Sequence, residues 1–267
     1  MKKMRFGHKL QWNALAIHIV AAIGLYFYFD PIWFLVFIIG NRFIMGLGHD
    51  IGMHRYFAHR AFETRRWVEY VMLFFAWFSS QGSTLGWVAR HRIHHPNSDL
   101  AGDPHPSKDW VPTWLWVDTE AERNIKISPT LVKDLIRKPE HVFMRNHYFK
   151  MYWLMLVVFA LTLGPKFTLY FFVLNGVAGF HTAGVINIIC HKFGYRNFET
   201  KDCSRNNWLV SIFYPGCGWH NNHHAKPDAY TFKANWWEYD PSGWFIKHVL
   251  STNPRILRDM NAAALKG

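Results

Sequence analysis

Eight histidines of this chain fall into three tight blocks: His54 and His59 in HRYFAH, His91, His94 and His95 in HRIHH, and His220, His223 and His224 in HNNHH. Positions i, i+3 and i+4 share one face of a helix, so each HxxHH block can aim three imidazoles at one point. Imidazole suits iron, copper and zinc, and with a reference pKa near ~6.5 it binds at neutral pH without first losing a proton. A closed zinc site takes four ligands, so eight ring nitrogens imply two metals. Four or five imidazoles each would leave positions for a small ligand such as dioxygen, which suits redox-active iron better than a closed structural site. Cys217, beside the last block, is a candidate soft ligand that so many imidazoles leave little need for. Ligating rings usually donate their other N–H to a carboxylate or carbonyl. Asp50, Asp99, Asp103, Glu199, Asp202 and Asp228 are near enough in sequence to serve.

The elements that must hold these blocks are apolar. Of 267 residues, 50% are hydrophobic, 18% aromatic and only 18% charged, which rules out a disordered or collagenous chain. Four apolar stretches, about 12–29, 32–47, 148–163 and 167–190, approach the ~20 residues that cross a bilayer. They pair around Asp30-Pro31 and Gly164-Pro165-Lys166, so the expectation is an all-α membrane protein of four transmembrane helices in two hairpins, with a helical cytosolic cap carrying the histidines. A shorter apolar run, about 67–78, predicts an interfacial helix. The whole chain, 1–267, reads as one integral-membrane domain, with an uncleaved anchor at its start.

The net charge of +12 does not signal nucleic acid, because the 30 Lys and Arg form no single face or run and, Arg42 and Lys150 apart, avoid the apolar stretches. The first ten residues hold four of them, 50–149 hold 13 and 191–267 hold ten, against one in the two hairpin turns. Both termini and both large polar segments are therefore expected on the cytoplasmic side of a bacterial inner membrane or an ER-type membrane. Three scattered cysteines make no disulfide framework and fit a reducing compartment.

In order along the chain, GLGHDIGMHRYFAHRAF, WVARHRIHHPNSDLAGDPH, NIICHKFGYRNFETKDCSRNNW and GWHNNHH resemble the motifs of the membrane-bound fatty acyl desaturase family, which contains stearoyl-CoA desaturase. The match runs from about 46 to 244 and is nearest to compact bacterial members. The resemblance implies a non-haem di-iron centre held by nine histidines, the ninth being His191, with Asn187 reaching an iron through water; zinc bound there would be a substitute for iron. It implies O2 as co-substrate, removal of two hydrogens from adjacent methylenes of a saturated fatty acyl chain, and a cis double bond of delta-9 type. The acyl group could ride on CoA, a carrier protein or a lipid. No fused redox domain is visible, so electrons are expected from a separate cytochrome b5 or ferredoxin.

The resemblance also maps substrate contacts onto Gln81, Trp87, Arg42 and Gly46, the last two near the blind end of the family's acyl tunnel. Arg42 is expected to pair with a buried acid such as Asp50, or with a substrate group, since an Arg inside a span is costly. Ala89 and Arg90 stand where animal acyl-CoA enzymes carry an Arg-Asp pair at the CoA headgroup, and Gly184 replaces a tunnel tryptophan, so the likeness does not extend to CoA recognition. His105 fits a family loop motif; His8, His18, His141, His147 and His248 stand alone and read as structural; His49 and His181 lie close enough to the blocks to be tested with His105. The competing readings are a hydroxylase, decarboxylase or halogenase of the same superfamily, and a non-catalytic membrane metal-binding protein.

Overall fold

The computed structural model describes residues 7–105, 107, 110–115, 128–214 and 216–260. Lys2, Lys3 and Arg5, part of the charge count behind the expected orientation, lie outside them. The first helix, α1 (Gly7–Tyr28), leaves Leu15, Ile19, Ile23 and Phe27 exposed at a spacing of four. A soluble fold would bury such a stripe, and hydrocarbon accommodates it.

Helix α2 (Pro31–Ala58) starts where Asp30 accepts a 3.0 Å bond from the Ile32 amide, with Pro31 supplying the preset φ of a first helical position. It does not stop at Leu47 but continues for 28 residues into the first histidine block. Its last part, Arg42–Ala58, is wound with i→i+5 bonds, so residues five apart stack. Beyond it, α3 (Arg66–Ala76) buries Val68, Met72 and Leu73 while exposing Trp67, Tyr70 and Phe74. Its backbone touches α2 directly: a Cβ on Gly48 would meet Phe75 C and Ala76 N at 2.5 Å. Next come α4 (Thr84–Asn97), capped by Ser83, and the short α5 (Trp110–Leu115).

Helices α6 (Pro139–Thr162) and α7 (Pro165–Lys192) form the second hairpin. The turns of the two hairpins meet, because Lys166 Nζ lies 2.5 Å from Asp30 Oδ2 and the Asp30 amide donates to the Tyr170 hydroxyl at 2.7 Å. Helices α2 and α7 thus leave from one end and deliver His54, His59 and His191 to the other. Among the described residues three helices, Lys9–Tyr28, Pro31–Ala58 and Pro165–Lys192, are long and apolar enough to cross a membrane. Helix α6 is not among them, since Glu140, Arg145 and Lys150 charge its first half and only the second half carries the expected apolar stretch.

Three short helices, α8 (Trp208–Phe213), α9 (His220–Ala225) and α10 (241–250), complete the cap. Among the described residues there is no strand, only isolated bridges from Asn206 to Tyr195 and Trp219. The core, with Met72, Phe78, Met144, Tyr152 and Tyr170 buried, ties α2, α3, α4, α6 and α7 into one unit.

Candidate metal centre

All nine predicted histidines converge, and they do so as two groups. His54, His59, His91, His95 and His223 form one, and His94, His191, His220 and His224 the other; within each group the nitrogens lie within 4.8 Å of one another. An HxxHH block does not aim three rings at one point, as its spacing had suggested. Residues i+3 and i+4 differ by one helical step of about 100°, so they point to either side of residue i. His91 and His95 serve the first group and His94 the second, whereas His220 and His224 serve the second and His223 the first. Each group takes the i,i+4 pair of one block and the i+3 ring of the other. His54 and His59, five apart, meet because the end of α2 is wound on i→i+5 bonds, with the His59 amide donating to the His54 carbonyl at 3.1 Å.

The two groups are supported differently. In the group of four, Asp103, Asp99 and Asp202 accept from the Nδ1 atoms of His94, His191 and His224 at 2.8, 2.8 and 2.6 Å. These bonds fix the tautomer and turn each Nε2 lone pair inward. In the group of five the nearest carboxylate is Asp50, whose Oδ1 is 3.6 Å from His54 Nδ1, too long for a hydrogen bond. Of the other acids expected to orient rings, Glu199 is exposed beside Arg196 and Asp228 pairs with Arg258. Cys217 is buried but belongs to neither group.

The titration behaviour suits ligation. Burial first, then the neighbouring rings, holds His59, His91, His95, His220 and His223 well below the usual imidazole range, and burial pushes His224 down to about 4 against the pull of Asp202. All are neutral at pH 7. Burial works to raise the carboxyls of Asp99, Asp103 and Asp202, but the hydrogen bonds from the histidines outweigh it and hold all three low.

Hydrogen bonding alone does not account for this packing. In the group of five, Nε2 atoms approach in a chain, His59–His91 at 2.8 Å, His91–His95 at 3.0 Å, His95–His223 at 2.9 Å and His223–His54 at 2.9 Å. A neutral ring nitrogen either donates or accepts. Any tautomer choice therefore supplies protons for at most three of the four contacts. In the group of four, the Nε2 atoms of His94 and His224 are buried with no hydrogen-bond partner, a costly arrangement without a cation. Metal–imidazole bonds of ~2.1 Å at right angles place their nitrogens ~3.0 Å apart, which is the spacing seen, so each group fits a metal ion.

Several supporting residues were not anticipated. Arg55, fully buried, donates to Asp50 Oδ1 at 3.1 Å, to Asp240 Oδ2 at 2.8 Å and to the Tyr230 carbonyl at 2.9 Å. Its guanidinium lies 3.8 Å from the centre of the Phe232 ring, which in turn packs on His54 and His223. The asparagines of HNNHH anchor α9: Asn221 Oδ1 accepts from the amides of Asn197 and Phe198, and Asn222 donates to Glu238 Oε2 at 2.9 Å and to the Phe232 carbonyl at 2.8 Å. The sequence held a signal for these in Arg55 adjoining His54 and in Asp240-Pro241, a helix-start pattern.

The expected substrate residues separate into two places. Trp87 stacks on His91, ring centres 4.6 Å apart, and donates to Gln81 Oε1 at 2.7 Å, while Gln81 Nε2 donates to the Gly179 carbonyl at 2.9 Å. Arg42 and Gly46 instead line a cavity of about 420 Å³ that reaches His49 and Asp50. Arg42 does not pair with Asp50, which Arg55 holds, and it is exposed. Asn187 spends Nδ2 on the Ala183 carbonyl at 2.9 Å, leaving Oδ1 to accept. His49, His105 and His181 join neither group. His181 meets His18, which the sequence left standing alone, at 3.0 Å, and accepts from Trp114 at 2.9 Å.

Two clusters of converging imidazoles at the ends of apolar helices define a multi-histidine metal-site protein built on membrane-type helices. The sequence model of the fatty acid desaturase family matches residues 31–252, and the chain belongs to that family, which makes it an oxidoreductase of the acyl-lipid desaturase type. It is 32% identical over 250 residues to the sn-1 stearoyl-lipid 9-desaturase of Anabaena variabilis, covering 91% of each chain. It is 33% identical over 240 residues to Delta-9 acyl-lipid desaturase 2 of Arabidopsis thaliana, covering 87% of this chain and 76% of that one. The sn-1 stearoyl-lipid 9-desaturase of Synechocystis is 33% identical over 244 residues, 88% of this chain and 74% of the relative.

Proposed function

We propose that this protein is an O2-dependent desaturase of lipid-linked fatty acyl chains that introduces a cis double bond of delta-9 type, working as a single integral-membrane domain over 1–267. The observation that carries this reading is the interleaving of nine converging imidazoles into a group of five and a group of four. Two iron ions held there would supply, with dioxygen, the oxidant that an unactivated C–H bond requires. His54, His59, His91, His95 and His223 would hold one iron and His94, His191, His220 and His224 the other, with Asn187 reaching the second through a water.

The chain's own work is positioning and exclusion of water. Asp99, Asp103 and Asp202 keep three imidazoles in the ligating tautomer. Trp87, stacked on His91 and held by Gln81, forms a rigid apolar wall against which methylenes can rest. The cavity beside His49 and Asp50 takes the acyl chain. Both termini face the cytoplasm, where a separate cytochrome b5 or ferredoxin delivers electrons.

Expression in a host that lacks desaturation, followed by mass spectrometry of total fatty acids, tests the reading. The expected product has lost two hydrogens and carries its double bond at the ninth carbon. A product that has gained oxygen would place the chain among the hydroxylases, and bound iron without any altered lipid would make it a metal-binding protein.

A further inference from the structure

Helix α8 presents an apolar face that the metal centre does not use. Trp208, Leu209, Ile212 and Phe213 are between 51% and 65% exposed, while Val210 and Ser211 are buried. Residues i, i+1, i+4 and i+5 span an arc of about 140° on a helix, so the four make one patch of large side chains. No residue between Arg205 and Lys226 is charged. Exposed patches of this kind mark a contact with another surface.

The way α8 is tied down shows what that surface is. Its cap residue, Asn207, accepts from the Val210 amide at 3.1 Å and donates through Nδ2 to the Phe193 carbonyl at 3.2 Å, just past the end of α7. After its last turn, Tyr214 reaches the side chain of Thr182, and the two line one cavity. Thr182 lies nine residues before His191, in a run of α7 from 167 to 191 that holds no charged residue. Helix α8 therefore runs back along the last apolar turns of α7 instead of away from them into the cap. Phe43 borders the same cavity and follows Leu35 and Ile39 in an exposed stripe, spaced by four, along α2. The patch is thus continuous with the outer faces of two helices that are long and apolar enough to cross a membrane. A short segment with one apolar face and a Trp beside such helices has the make-up of an in-plane interfacial helix.

We propose that α8 is a membrane anchor of the cap, its Trp208, Leu209, Ile212 and Phe213 seated in the boundary between headgroups and acyl chains on the histidine side of the bilayer. What the lipid surface positions there is the last histidine block. The Asn207 amide donates to the Gly218 carbonyl at 2.7 Å, and a Cβ on Gly218 would meet the Asn207 carbonyl and the Ser211 amide at 2.4 Å, so no slack separates α8 from the turn before α9. Asn206 and Asn222 exchange two further bonds, at 2.8 and 3.2 Å. The depth of α8 in the lipid sets the height of His220, His223 and His224 over the ends of α2 and α7.

The test reads that depth in full-length protein held in nanodiscs of phosphatidylcholine and phosphatidylglycerol. Cys203→Ser removes the exposed thiol, and a nitroxide is attached at Leu209→Cys or Ile212→Cys. Its collisions with oxygen, which favours hydrocarbon, are compared with its collisions with a water-soluble nickel chelate. Ile38→Cys on α2 gives the lipid reference and Glu199→Cys, at a fully exposed side chain, the water reference, with iron content as the control for folding. The oxygen-to-nickel ratio at 209 and 212 is expected to exceed that at 199 severalfold and to approach that at 38. A ratio equal to that at 199 puts the face in water and overturns the proposal. Few collisions with either reagent would mean that a second copy or another protein covers the face, and would overturn it too. Hydroxyl-radical footprinting of the unlabelled protein in the same discs needs no variant to fold: Trp208 and Phe213 are expected to stay unoxidised, and their ready oxidation counts against the anchor. None of these readouts involves turnover, so failure of the desaturase reading would leave the anchor standing.

Discussion

The two imidazole groups achieve one task by different means. The group of five has ligands to spare and almost no carboxylate support, while the group of four has one ring fewer and an aspartate behind three of its four. In the first, orientation comes from packing: Phe232, carried on the Arg55–Asp240 pair, presses on His54 and His223. In the second, it comes from hydrogen bonds that set each tautomer. Ligand number and outer support are therefore exchangeable, and each group should fail where its own device is removed.

The largest difference should follow from deleting one ring. His220→Ala leaves three imidazoles and should drop bound iron from two per chain to one, with desaturation falling more than ~100-fold, beyond the range for loss of an outer partner. His59→Ala leaves four imidazoles, as many as the other group has to begin with, and should keep both irons by elemental analysis. Equal iron loss in the two variants would break the comparison. Next is Arg55→Met, which strands buried Asp50 and Asp240 and should cost about 3–5 kcal/mol in thermal unfolding, with iron lost from the group of five alone. Asp202→Asn should weaken metal at the group of four by about 10–100-fold while the other iron's Mössbauer signal stays in place; loss of both signals would show the groups to be one unit.

The pH effect is smaller and common to both. The buried rings are neutral when folded, their affinity for protons depressed, so the unfolded chain binds more protons below its imidazole pKa of ~6.5. Stability of the metal-free protein should be full above about pH 6.5 and decline as pH falls toward about 4, where His224 protonates in the folded chain. A thermal midpoint flat across that window would contradict the assignment. Smallest of all, Gly46→Leu should fold normally, since its Cβ meets only the Asn41 carbonyl at 4.0 Å, yet shorten the longest acyl chain accepted, read from the product distribution.

What could be read from sequence was chemistry at fixed spacing: eight of the nine converging histidines, with His191 supplied by the family resemblance, three of the six candidate aspartates and glutamates, and the end of the helices at which they gather. Which ring joins which group was hidden, because it depends on the 100° step between i+3 and i+4 and on the winding of α2, where HxxxxH is a same-face pair only with i→i+5 bonds. The pairing suggested for Arg42 went astray for a related reason. Its expected partner, Asp50, lies in the same helix, but Arg55 and the distant Asp240 had already closed that network, and contacts across 185 residues leave no periodic trace. Helix α6 shows the converse: its apolar half is plain in sequence, but the charged half that continues the same helix is not.

The interleaving of the two HxxHH blocks also bears on how the protein comes to exist. Chains emerge N-terminus first, and until α9 has been made the first group lacks His223 while the second has only His94 and His191. At that point the first group has four rings, as many as the finished second group, whereas the second has too few to hold an ion until the last block is made. Loading of the second group would thus be a checkpoint that only chains carrying the last block pass.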